Sequence, residues 1–270
     1  MQIFYSVLAG AVQGLSEFLP ISSSGHLVLF HSWVNFNFLD DVAFDVMLHL
    51  GTLTALLVFF WTDVVKYVTA FCQSLVRWDV PHNKEQLLAW YLFVATMPAA
   101  IAGFLFEKTI ESYFRTPVSV ALMLVLFGLV LYAADHLSQK VNTINQLNWN
   151  GAIIIGLAQM LALIPGVSRS GITIIAGLSQ KLQREQAARF SFLLSMPIIF
   201  GAGVKELPTV FQASSDQYAV LAAGLVSSAV IGYLVIRYFL KYIQGHSLKI
   251  FAYYRVALGG LIIIYTLVNR

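Results

Sequence analysis

Charge is what this sequence has least of. Only 11% of its 270 residues are Asp, Glu, Lys or Arg, against about 25% in an average soluble domain. Hydrophobic residues make up 59%, and mean hydropathy is +0.77. So little charge cannot cover a water-facing surface, and the chain reads as an all-α polytopic integral membrane protein. Cysteine is nearly absent too: Cys72 stands alone, which excludes an internal disulfide and a cysteine metal site. No G-x-x-x-x-G-K-[ST] occurs, so there is no P-loop and no case for an ATP-driven pump. H-E-x-x-H and G-x-S-x-G are also missing. The net charge of +3 is spread over short loops, where it bears on membrane orientation; no nucleic-acid partner is expected. The apolar start, 1–19, has no basic n-region and runs into Glu17, so it reads as retained and not as a cleaved signal.

Apolar segments fall near 1–19, 27–34, 42–62, 87–106, 118–136, 150–164, 170–179, 188–206, 217–240 and 250–268. Two pairs of them are broken, at Pro20 and at Pro165, and the second arm of each is too short to cross ~30 Å of hydrocarbon. A helix that stops inside a membrane must have its free backbone groups satisfied by protein or trapped water. Such breaks mark binding sites in membrane proteins.

The two breaks resemble each other. Laying "GAVQGLSEFLPISSSG" (10–25) over "GLAQMLALIPGVSRSG" (156–171) matches Gly10 with Gly156, Gln13 with Gln159, Ser22 with Ser168, Ser24 with Ser170 and Gly25 with Gly171. Glu17 falls opposite Leu163, and Ser23 opposite Arg169. This reads as a diverged internal repeat. If each broken pair is a hairpin that enters and leaves on one side, ten basic residues share a face: Lys66, Arg77, Lys84, Lys140, Lys181, Arg184, Arg189, Arg237, Lys241 and Lys249. Lys108, Arg115, Lys205 and Arg270 lie on the other. The positive-inside rule favours that topology, with both termini outside. Three spans then separate the hairpins, so they enter from opposite faces. The expectation is one membrane domain, 1–270, of two inverted repeats (about 1–136 and 150–270). Each repeat has a re-entrant hairpin plus three transmembrane helices, and the broken tips meet near the midplane.

Those tips carry the chemistry. Gln13 and Glu17 are one helical turn apart and share a face. A carboxylate inside a membrane is expensive and functional by default; here it reads as a metal ligand, or as an acid or base near a substrate. The plain alternative is a glutamate satisfied by a neighbouring helix. In "PISSSGH", Ser22, Ser23 or Ser24 can cap the following helix. Ser23 with His26 three residues on also supplies the minimum apparatus of an activated nucleophile. In "PGVSRSG", a helix start binds anions through its N–H groups, and Arg169 adds a fork suited to phosphate oxygens. Arg169 can equally pair with Glu17, or do both. Ser22, Ser24 and Gly25 on one turn, and Ser168, Ser170 and Gly171 on the other, form the anion-binding part. The whole describes a polyanion site with a hydrolytic option, for which a lipid phosphate or diphosphate is the natural ligand. Asp45 and His49 share one face of a span and either reach the site or pair together. Arg255 is expected to snorkel to the interface.

At these residues the sequence resembles the bacterial undecaprenyl-diphosphate phosphatase family, also called the bacitracin-resistance protein family. "QGLSEFLPISSSGH" fits that family's (E/Q)xxxE element followed by a proline and a serine-rich turn. "PGVSRSG" fits its PGxSRSG element, and "FDVMLHLGTLTALLVFF", "ATMPAAIAG", "ARFSFLLSMP" and "FAYYRVALGG" extend the likeness over nearly the whole chain. The resemblance implies a multi-pass enzyme of the bacterial cytoplasmic (inner) membrane, open to the outer side. It would hydrolyse undecaprenyl diphosphate to the monophosphate carrier used in peptidoglycan synthesis. It implies a divalent cation (Mg2+ or Ca2+) at Glu17 and Gln13, and Glu17, Ser23, His26 and Arg169 as catalytic residues. His49 stands where the family pattern has glutamine. The expected partners are a polyprenyl diphosphate and membrane lipids, with a homodimer left open. The alternative reading is a lipid-phosphate transporter, because inverted repeats with broken helices are also a transporter design. The "SGH" and "SR" elements look like those of type 2 phosphatidic acid phosphatases, but that family's K-x-x-x-x-x-x-R-P element is absent.

Overall fold

The computed structural model describes residues 1–34 and 41–268, and the helices follow the punctuation of the sequence. Helix α1 (Gln2–Phe18) stops because Pro20 forces Leu19 into extended backbone, φ −73° and ψ 143°. Helix α2 (Ser23–Trp33) starts three residues after the proline, capped by the Ser22 hydroxyl, which accepts from the Gly25 N–H. The second break is built alike. Helix α7 (Trp149–Met160) tightens into a 3₁₀ turn (Leu161–Leu163), Ile164 is extended before Pro165, and α8 (Arg169–Ser179) is capped by Ser168 accepting from the Gly171 N–H. Helices α2 and α8 have 11 residues each, about 16 Å of rise, half a hydrocarbon layer.

Between and after the hairpins lie α3 (Asp41–Phe59), α4 (Trp61–Val76), α5 (Lys84–Phe114), α6 (Pro117–Leu137), α9 (Arg184–Val210), α10 (Ser215–Gly245) and α11 (Lys249–Val268). Six of these, α3, α5, α6, α9, α10 and α11, are long and apolar enough to cross a membrane. Among the described residues there is no strand, only a bridge between Asn142 and Leu182. The protein is an all-α, multi-pass membrane protein. Large apolar side chains such as Phe104, Leu122, Leu129 and Ile264 point outward, as they can where the solvent is hydrocarbon. One segment departs from the sequence reading. The stretch 63–86, which falls between two of the apolar segments and holds Lys66, Arg77 and Lys84 of the basic set, is largely helical, because α4 packs one side, with Ala70 and Ser74 buried, against its neighbours α3 and α5. Arg270 and the side chain of Lys108 lie outside the described residues.

Each broken helix leans on a full-length one. Helix α1 packs along α10 and α7 along α5, while α3 sits against α9 and α10, and α6 against α11. The α1–α10 contact is close because it is made by small residues. A Cβ on Gly10 would lie 2.3 Å from the Gly224 carbonyl oxygen, and one on Gly14 would lie 2.9 Å from the Gly232 nitrogen. Backbones approach this way in membranes when side chains are kept out of the seam. The packing holds Gln13 and Glu17 in place one turn further along.

Candidate functional site

Glu17 lies at the centre of the site, buried at the end of α1. Four side chains from four elements converge on its carboxylate. Gln13 Nε2 donates to Oε2 at 3.0 Å from the preceding turn. Ser23 Oγ, the first residue of α2, donates to the same oxygen at 2.5 Å. Arg169, the first residue of α8, pairs with Oε1. His49 of α3 brings Nε2 to 3.5 Å from Oε2. The sequence paired Glu17 with Leu163 and Ser23 with Arg169 across the repeat. The structure shows what the divergence does: one break supplies the carboxylate and the hydroxyl, and the other supplies the cation.

The breaks are bound to each other as well as to Glu17. Ser22 Oγ accepts from the Gly166 N–H of the second turn at 3.1 Å, and Ser170 Oγ donates to the Leu19 carbonyl of the first at 3.0 Å. Both cap serines, Ser22 and Ser168, have φ of +75°, a left-handed setting that costs a non-glycine residue of order 1–3 kcal/mol. Strain of this kind survives only where the surroundings over-determine it. Arg255 is part of those surroundings. It is fully buried, and its guanidinium points at the carbonyls of Pro20 (3.1 Å), Gly166 (2.8 Å) and Val167 (2.9 Å), and at Met123 and Leu124 of α6. The expectation that Arg255 snorkels to the interface is therefore corrected. Broken helices leave carbonyls with no intrahelical partner, and this arginine serves those of both turns at once.

A cavity of ≈ 210 Å³ opens beside the carboxylate, lined on one side by Glu17, Ser23, Ser24 and His49 and on the other by Gln159, Ser168 and Arg169. Ser24, Ser168 and Arg169 thus stand where an anion would meet them. Gly25 and Gly171 are in the two turns but do not offer their N–H groups, which go to Ser22 Oγ and Ser168 Oγ. Anion binding by backbone falls instead to the first N–H groups of each helix, those of Ser23 and Ser24 and of Arg169 and Ser170.

His26 departs most from the sequence reading. It does not meet Ser23. Its Nδ1 bonds the Ser22 carbonyl at 2.7 Å, so that nitrogen is the donor, and Nε2 is then free to accept from the Tyr254 hydroxyl at 2.7 Å. Ser23 is the first residue of α2, and its hydroxyl turns back to Glu17, while His26 faces α11. Asp45 is held by His31 (2.8 Å) and Arg115 (2.9 Å). It does not pair with the His49 imidazole, whose Nδ1 bonds the Asp45 backbone carbonyl. Gln159, Arg255 and Tyr254 were not singled out as site residues from sequence. Only Gln159 carried a signal there, through its match to Gln13.

Comparison with known proteins gives one consistent answer. A family model described as bacitracin resistance protein BacA matches residues 6–261. The undecaprenyl-diphosphatase of Rubrobacter xylanophilus is 45% identical over 268 residues, covering 97% of this chain and 97% of the relative. That of Moorella thermoacetica is 44% identical with the same coverage. That of Geotalea daltonii is 44% identical over 98% of each chain.

Proposed function

The chain belongs to the bacitracin resistance protein BacA family, and we propose that it works as an undecaprenyl-diphosphatase through the cavity between its two broken helices. The reaction is hydrolysis of a polyprenyl diphosphate at its terminal phosphate. The observation that carries the reading is the chain Ser23–Glu17–Arg169, a hydroxyl and a guanidinium sharing one buried carboxylate at the edge of an anion-sized cavity. Of the serines lining that cavity, Ser23 is the one whose hydroxyl donates to a carboxylate. Glu17, and not His26, is therefore the group placed to take its proton. Arg169 and the helix N–H groups face the phosphoryl oxygens on which charge builds up. His26 positions the turn by fixing the Ser22 carbonyl against Tyr254.

The donor atoms fit a hard divalent cation such as Mg2+ or Ca2+. Glu17 offers a carboxylate, and Gln13 Oε1 is a buried oxygen with no hydrogen-bond partner. Among the described residues no cluster of three His, Cys, Asp or Glu side chains forms. Phosphate and water would complete the shell, as is usual for Mg2+. When bound there, the cation supplies neutralising charge to the diphosphate. A second, apolar cavity of ≈ 350 Å³ lies along the same helices α3, α5 and α9 and is lined by Leu53, Leu57, Leu92, Met196 and Phe200 together with Tyr67 of α4. The excess of Lys and Arg on the opposite loops supports a site open to the outer side of the cytoplasmic membrane.

The test is phosphate release from a polyprenyl diphosphate by the detergent-purified protein, with added Mg2+ or Ca2+ or with chelator. Cation-dependent release is the expected result. No release from folded protein would overturn the reading.

A further inference from the structure

The His49 imidazole is the part of the site that hydrogen bonding does not account for. It lines the polar cavity, and its side chain is 25% exposed. Nδ1 lies 2.7 Å from the Asp45 backbone carbonyl. A carbonyl only accepts, so Nδ1 carries the hydrogen, and in the neutral ring Nε2 carries the lone pair. That nitrogen stands 3.5 Å from Glu17 Oε2. An imidazolium donating to a carboxylate closes to about 2.7–2.9 Å. At the longer separation the nitrogen and the carboxylate oxygen sit side by side as two lone-pair donors. A shared cation produces that spacing: bonds of about 2.1 Å meeting at about 90–110° set their ligand atoms about 3.0–3.5 Å apart. A histidine that ligates a metal also gives its other ring N–H to a carbonyl or carboxylate, which fixes the tautomer. The Asp45 carbonyl does this for His49. A half-turn of the Gln13 amide would exchange Nε2, 3.0 Å from the same carboxylate oxygen, for Oε1, which has no partner.

We infer that His49 is a nitrogen ligand of the divalent cation held at Glu17, and that it turns the site's preference from Mg2+ and Ca2+ toward transition-metal ions such as Co2+. This rests on the cation site of the phosphatase reading and adds to it a ligand from α3. Mg2+ and Ca2+ take oxygen donors, whereas imidazole nitrogen suits first-row transition metals, with affinity rising from Mn2+ to Co2+ and beyond. Glutamine at this place, the residue of the family pattern, offers a carbonyl oxygen and would leave an all-oxygen site. An ion-pair role for His49 predicts the opposite sign. If the ring were a cation beside Glu17, replacing it with glutamine would remove a positive charge and tighten the binding of every divalent cation alike.

The test uses the full chain in detergent, without substrate and freed of any histidine tag, with Co2+ and Mg2+ as probes. Co2+ binding is read from its ligand-field absorption, and Mg2+ binding from competition against it. Wild type should bind Co2+ at least about 10-fold more tightly than His49→Gln does, while Mg2+ affinity stays within about twofold. One equivalent of Mn2+ should show an imidazole nitrogen coupling in pulsed electron paramagnetic resonance of the wild type, lost in His49→Gln. His49→Asn is read in its place if the glutamine variant does not fold. Equal or tighter Co2+ binding by the variant, or no nitrogen coupling in the wild type, overturns the proposal. Both readouts are taken without turnover, so an absence of phosphate release by the wild type would instead overturn the phosphatase reading.

Discussion

At the scale of the residue, Glu17 serves two purposes that substitution can separate. It is the counter-charge of Arg169, and it is the acceptor for the Ser23 hydroxyl. Glu17→Gln keeps the shape and removes the charge, leaving a part-buried guanidinium without its partner. Breaking a buried pair in that way costs about 3–5 kcal/mol, and we expect activity to fall by at least about 10²-fold with it. Ser23→Ala deletes a single donor to a carboxylate that keeps its other partners. It should lose activity to a similar degree while shifting stability by no more than about 1–2 kcal/mol. Phosphate release measured beside thermal unfolding in detergent distinguishes the two patterns, and equal destabilisation by both would contradict them. Gln13, Glu17, Ser23 and Arg169 were legible in the sequence because spacing and proline breaks place them at helix ends. That His26 does not pair with Ser23 was not legible, because three residues of separation look like contact, whereas Ser23 begins its helix and turns backward to Glu17. Arg255 was misread because the carbonyls that receive it lie in turns far away in the chain, and backbone acceptors leave no trace in composition.

At the scale of the element, the two short helices α2 and α8 share one device, a serine that caps its helix from a left-handed backbone setting. Capping and strain oppose each other at Ser168. Ser168→Ala loses the cap and keeps the strain, which should destabilise by about 1–2 kcal/mol. Ser168→Gly loses the cap but relieves the backbone, since glycine accepts φ of +75° without penalty, and it should come out near neutral. The comparison is made by unfolding the two variants in detergent, and a glycine variant weaker than the alanine one would refute the balance. Helix positions were readable from the sequence within a few residues, since long apolar runs and prolines set them. Helix α4 was not, because Thr62, Asp63, Lys66, Thr69, Gln73 and Ser74 interrupt its apolar residues, and the segment reads as a solvated connection. What the pattern could not give was which helix each broken arm leans on. That is decided by glycine and serine seams such as Gly10 against Gly224, where the information lies in the absence of side chains.

At the scale of the whole molecule, the orientation we propose from the distribution of basic residues puts the segments bearing Lys66, Lys140, Arg184 and Lys249 on the cytoplasmic side. The chain carries its own reporter for this, because its one cysteine, Cys72, is exposed on α4 within the same set of loops. A membrane-impermeant maleimide should modify Cys72 in inside-out vesicles and leave it intact in whole cells. Modification from outside would invert the orientation and with it the direction in which the site opens. One feature of the assembled molecule also bears on how it comes into being. The guanidinium that satisfies the carbonyls of both turns belongs to α11, which leaves the ribosome after both broken helices. Until that segment is synthesised and inserted, Pro20, Gly166 and Val167 have no such partner, and the two turns have lost a principal reason to stay bent toward each other. Nascent chains halted before Arg255 would carry Glu17, Ser23 and Arg169 yet lack the guanidinium that ties the two turns together, so the turns are expected to settle against each other only once α11 is in place.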